Sequence, residues 1–86
     1  MSEAKLPSTS ELRDALLKVL AGSPGGLSTS EIDKAVAQEL NLTESQLGII
    51  HSGNRTEFAY RLAWERTHAK AKGLIVRTST RTWKIV

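Results

Sequence analysis

Asn54-Arg55-Thr56-Glu57-Phe58-Ala59-Tyr60-Arg61-Leu62-Ala63-Trp64-Glu65-Arg66-Thr67-His68-Ala69-Lys70-Ala71-Lys72-Gly73-Leu74-Ile75-Val76 is the stretch that decides the fold. It contains no proline, and Asn54 with Glu57 three residues on is a helix-start signal. On a helical wheel Phe58, Leu62 and Ala69 share one narrow arc, which predicts a long helix over 54–72 buried along that stripe. Gly73 closes it, because glycine accepts the left-handed conformation that ends a helix. Glu65 falls beside Ala69 on the inward side, and Arg61 four residues earlier is the expected partner for its charge. Arg61, Trp64 and His68 lie on a flank. Tyr60, Arg66, Thr67 and Lys70 are expected to face outward.

After Gly73 the period changes from helical to alternating. Leu74-Ile75-Val76 is apolar, Arg77-Thr78-Ser79-Thr80-Arg81 is polar, and Thr82-Trp83-Lys84-Ile85-Val86 alternates with Trp83 and Ile85 on one face. This predicts a β-hairpin with a tip longer than a two-residue turn, anchored on the helices by Trp83. Trp64 is likewise read as packing, supporting the core or the hairpin.

Upstream, the same capping logic recurs. Ser8-Thr9-Ser10-Glu11 opens a helix with a stripe at Leu12, Ala15, Leu16, Val19 and Leu20, ended by Gly22-Ser23-Pro24-Gly25-Gly26. Leu27 leaves room for a very short strand. Ser28-Thr29-Ser30-Glu31 opens a second helix with Ile32, Ala35, Val36 and Leu40 on one stripe, and Asn41 ends it. Thr43-Glu44-Ser45-Gln46 opens a short third helix, followed by a turn at Ser52-Gly53. The order is helix, tiny strand, helix, short helix, long helix, hairpin. It predicts an α+β, mainly helical fold: a winged helix-turn-helix with three main helices, one short extra helix and a C-terminal β-hairpin wing. Residues 1–7 are expected to be a flexible tail and 8–86 a single domain.

Eighty-six residues can bury only about 60–65% of their unfolded surface, enough for one modest core. The absence of Cys excludes disulfides, thiolate chemistry and Cys-based zinc sites. His51 and His68 stand outside any metal-ligand spacing and are expected at the surface or its boundary. No apolar run approaches the ~20 residues of a membrane span. Met1-Ser2-Glu3-Ala4-Lys5 lacks the apolar stretch of a signal peptide. The expectation is a cytoplasmic protein with no membrane partner.

Charge is polarised along the chain. Residues 1–50 carry four bases against seven acids, −3, and residues 51–86 carry eight bases against two acids, +6. A basic half on a scaffold that projects a helix and a hairpin is the electrostatic footprint of a nucleic-acid binder. Arg66, Thr67 and Lys70, with Tyr60, are expected to face the major groove. Arg55, Arg77, Arg81 and Lys84 are expected to neutralise phosphates, with Thr80 donating to phosphate oxygens. Catalysis is not expected. The only acid-x-Lys is Glu3-Ala4-Lys5, with no strand around it, and there is no nucleophile elbow, phosphate-binding glycine loop or paired-His motif. No cofactor or metal is called for.

From Leu40 to Trp83 the chain resembles the N-terminal winged-helix domain of Mrr-type restriction systems, the methylated-DNA restriction proteins. The resemblance rests on Leu42-Thr43, Ser52-Gly53, Phe58, Arg61-Leu62-Ala63-Trp64, Gly73-Leu74 and Trp83. It departs from the family pattern at Tyr60, Glu65 and Ala69, and in the register of Arg81-Thr82. The resemblance implies a non-catalytic double-stranded DNA-binding module that in the family usually precedes a nuclease domain. A fused or associated nuclease is therefore an expected partner, and homodimerisation stays open, since no dedicated dimerisation helix is evident. The rival reading is a winged-helix protein-protein docking module, because a fold alone does not fix function.

Overall fold

Three reciprocal capping boxes set the helix starts. In the computed structural model, which describes residues 6–79 and 82–86, Ser8 caps α1 (Thr9–Ala21), Ser28 caps α2 (Thr29–Glu39) and Thr43 caps α3 (Glu44–Leu47). In each, the hydroxyl accepts from the amide three residues on, and that residue's side chain accepts from the cap's own N–H. Each exchange satisfies two amides that a helix start otherwise leaves unpaired. Asn41, at φ 54°, then turns the chain out of α2, with Leu42 N–H donating to Ala37 O and Asn41 N–H to Gln38 O.

The segment after α3 is more structured than a turn. Ile50–Ser52 (β2) and Arg55–Thr56 (β3) pair antiparallel around a bulge, with Ile50 opposite Thr56. This small ribbon takes up residues expected in the long helix. That helix, α4, accordingly spans Glu57–Ala71 and is capped by Thr56, whose hydroxyl accepts from Ala59 N–H, rather than by Asn54. Its C-terminus is as expected: Gly73 has φ 75°, Gly73 N–H donates to Lys70 O and Leu74 N–H to Ala69 O.

The remaining strands, β1 (Leu27–Ser28), β4 (Ile75–Ser79) and β5 (Thr82–Ile85), form a three-stranded sheet in the order β1-β5-β4. Leu27 lies opposite Trp83, and Arg77 also faces Trp83 across the β4–β5 ladder. The ladder runs past Arg77 to Ser79, so the polar segment expected to be wholly a tip is partly strand.

α1 packs against both α2 and α4. The core joins Leu12, Ala15, Leu16 and Leu20 of α1 to Ile32 and Val36 of α2, and to Phe58, Leu62 and Ala69 of α4. Ile75 and Trp83 close it from the sheet, with Trp83 Nε1–H donating to Thr29 Oγ1 at 3.3 Å. The fold is thus mainly helical α+β in a winged-helix-like arrangement. With α4 held by its inner stripe and the hairpin held by Trp83, the opposite face of α4 looks outward beside the sheet.

Candidate nucleic-acid interface

Burying Phe58, Leu62 and Ala69 turns Tyr60, Ala63, Trp64 and Thr67 away from the core. With Arg55 of β3 they line a shallow groove of about 320 Å³. Its rings are held in series. His51 stacks on Tyr60 at 3.7 Å and 12°, Tyr60 meets Trp64 edge-on at 6.5 Å and 78°, and Trp64 is tilted toward His68 at 5.6 Å. His51 Nδ1 lies 2.8 Å from Glu57 Oε1, while Arg61 Nε–H donates to Glu57 Oε2 at 2.8 Å. The Arg61 hydrogen bond, followed by that of His51, holds the Glu57 carboxyl below the usual carboxylate range. The Arg55 guanidinium sits 5.4 Å from the Tyr60 ring centroid, a cation-π distance. Thr67 Oγ1–H donates to Ala63 O.

Arg66 does not project outward as its helical position had suggested. It is buried, its Nη1–H donates to Asp33 Oδ1 of α2 at 3.2 Å, and its guanidinium lies 5.9 Å from the Trp83 ring centroid. Its burial is shared between Asp33 of α2 and Trp83 of β5, an arrangement that an Arg can take because its long stem is apolar and its head charged. Burial is the main influence lowering the Arg66 pKa; Asp33 opposes it, and the charges of Arg55 and Arg77 add to it. The guanidinium stays charged. Burial likewise pushes the Asp33 carboxyl above its usual range, and the adjacent Arg66 charge offsets this only in part. Arg77 also stands over Trp83, at 5.3 Å. Bases of α4 and β4 therefore meet at the Trp83 ring, while Arg55 of β3 lies over Tyr60.

The other expected site residues divide. Lys70 is exposed one turn beyond Arg66. Lys84 is exposed too, but strand alternation places it opposite Val76 on the sheet face away from Trp83 and Arg77. It is therefore separate from the arginines at the Trp83 ring. Thr80 and Arg81 lie outside the described residues. Glu65 is paired not with Arg61 but with Arg13 of α1, whose Nε–H donates to Glu65 Oε1 at 3.1 Å, because Arg61 is held by Glu57. Trp64, expected to pack, is 49% exposed. Two contributors escaped the sequence reading. His51 gave no signal beyond being a lone histidine, and Asp33 is tied to Arg66 only by the tertiary fold.

Among the described residues no group of three or more His, Asp or Glu side chains could hold a metal ion, and no helix is long and apolar enough to cross a membrane. No curated protein and no solved structure is matched by this chain. The family model of the Mrr N-terminal domain matches residues 10–86, which takes in all four helices and both sheets almost entire. The chain belongs to the Mrr N-terminal domain family, the N-terminal domain of a restriction-system family.

Proposed function

We propose that this domain is a non-catalytic double-stranded DNA-binding module, the targeting part of a restriction system. The reading is supported by one observation: exposed Arg55 of β3 stands over Tyr60 on the outward face of α4, and exposed Arg77 of β4 stands over Trp83 on the adjoining hairpin. A helix fits the B-DNA major groove, about 12 Å wide, while flanking elements rest on the phosphates. Tyr60, Ala63, Trp64 and Thr67 are then the groove-facing surface. Arg55 and Arg77, with Lys70 and Arg81, neutralise phosphates. Arg66 acts as a positioning residue that fixes α4 against α2 and the sheet, and Lys84 contributes only general positive potential.

The test is fluorescence anisotropy of a labelled random-sequence duplex titrated with the domain at rising salt. Contact with about 4–6 phosphates gives a slope of log affinity on log salt near −4 to −5. A domain that only docks to proteins leaves the duplex free at low salt, and binding indifferent to salt removes the electrostatic basis of the proposal.

A further inference from the structure

The outward face of α4 offers flat rings more than hydrogen-bonding edges. Paired bases in a major groove present their edges, which guanidinium, amide and carboxylate groups read. An indole has a single donor and a large face, and base faces become available only where a base is unpaired or turned out of the stack. Trp64 is half exposed, so a large aromatic face with one N–H donor is open to whatever lies against α4.

Its ring is also held ready. The series Glu57, His51, Tyr60, Trp64 and His68, with the contacts given above, fixes the indole from both directions along the helix. A ring already immobilised loses little freedom on binding. Tyr60 is committed to His51 and Arg55, so Trp64 is the ring with open surface. Arg55 lies on the same groove and supplies the cation that a nucleotide's phosphate needs. A stacking surface beside a fixed cation is the arrangement that takes single-stranded nucleotides without reading their edges.

We infer that the groove between Arg55 and Trp64 takes one unpaired nucleobase of DNA, stacked on the Trp64 indole with its phosphate against Arg55. The inference rests on the DNA reading above for the class of polymer, and adds a preference for duplex in which a base has left the helix.

The experiment compares a fully paired duplex with the same duplex carrying one unpaired thymine at its centre. Affinity and tryptophan emission are measured for the wild-type domain, Trp64→Ala and Trp64→Phe. The wild type binds the bulged duplex at least about 5-fold more tightly, with quenched emission. Trp64→Ala loses both the preference and the quench, its affinity for the bulged duplex falling further than its affinity for the paired one, and Trp64→Phe recovers part of the preference. Equal affinity of the wild type for the two duplexes, or a preference that survives in Trp64→Ala, overturns the inference. Salt-dependent binding to paired duplex without preference leaves the duplex reading standing alone. Binding to the bulged duplex only, lost in Trp64→Ala, supports the stacking site and removes the duplex reading.

Discussion

Arg66 of α4 and Asp33 of α2 form a 3.2 Å ion pair in which the arginine is the more deeply buried partner. The pair ties α4 to α2. Taking either charge away leaves the other desolvated. Asp33 keeps about a third of its side chain exposed, so solvent softens that penalty. Asp33→Asn removes a charge that burial disfavours but also the counter-ion of Arg66, so it should change unfolding free energy by less than about 1 kcal/mol. Arg66→Met, which keeps the stem against Trp83, should lose less than Arg66→Ala. Urea unfolding of the three variants gives the ranking. A sequence-selection experiment on Arg66→Met adds a sharper check: its base preference should match the wild type, because Arg66 does not reach the groove.

Arg55 and Arg77 act differently. Both are exposed. On the DNA reading, Arg55→Ala or Arg77→Ala should weaken binding to every duplex alike and make the salt slope shallower by about one. Thr67→Val, by contrast, should leave the slope alone and alter base preference by about 1 kcal/mol at one position. Titrations at several salt concentrations, repeated on two unrelated duplexes, separate the two effects. Lys84→Ala, on the other sheet face, should change the slope least.

What could be read from the sequence was local. The caps at Ser8, Ser28 and Thr43, the end of α2 at Asn41 and that of α4 at Gly73 each depend on contacts within a few residues, and each is where the pattern put it. The β2–β3 ribbon was not legible, because two or three residues a side are too few to show alternation, and Ser52-Gly53 reads equally well as a bare turn. At the site, Tyr60 and Thr67 face outward as the helical wheel indicates. Arg66 does not, since its position follows from Asp33, 33 residues away, and from Trp83 on another element. Glu65 repeats the lesson: the i−4 arginine was visible, the partner 52 residues away in α1 was not.

Acid should destabilise the domain through carboxylates that the fold keeps ionised. Glu57, held low by Arg61 and His51, and Glu31, held low by its hydrogen bonds with Ser28, contribute stability that is present above the unfolded-chain pKa and lost as pH falls through the folded one. Asp33 has the opposite sign. Its pKa is raised by burial, so the unfolded chain ionises first as pH rises, and stability falls across the range just above the ordinary aspartate value. The Glu57 and Glu31 contributions are lost below about pH 4, whereas protonation of Asp33 returns stability in the range just above it. Chemical denaturation from pH 6 to about pH 3 should show this decline, and Glu57→Gln should flatten it. A variant whose acid profile matches the wild type places the titrating groups elsewhere.

Gly26 and Gly25 make a matched pair for testing how the hairpin is seated. Gly26 has φ +94°, and a Cβ there would lie 2.9 Å from Trp83 O and 3.0 Å from Thr82 Cγ2. The obstruction at Trp83 is backbone of β5, the strand that carries the core anchor and pairs with β1. Relief requires β5 to move away from β1 at the point where Leu27 faces Trp83. Gly25 meets nothing within 4 Å and has no left-handed φ. Gly26→Ala should therefore cost about 1–3 kcal/mol and expose β5 amides to hydrogen exchange. Gly25→Ala should be neutral or stabilise by up to about 1 kcal/mol, since it only restricts the unfolded chain. Thermal melts and hydrogen exchange on both variants distinguish the cases. Equal behaviour of the two would mean that the loop, rather than the close approach of Gly26 to β5, sets the position of the wing.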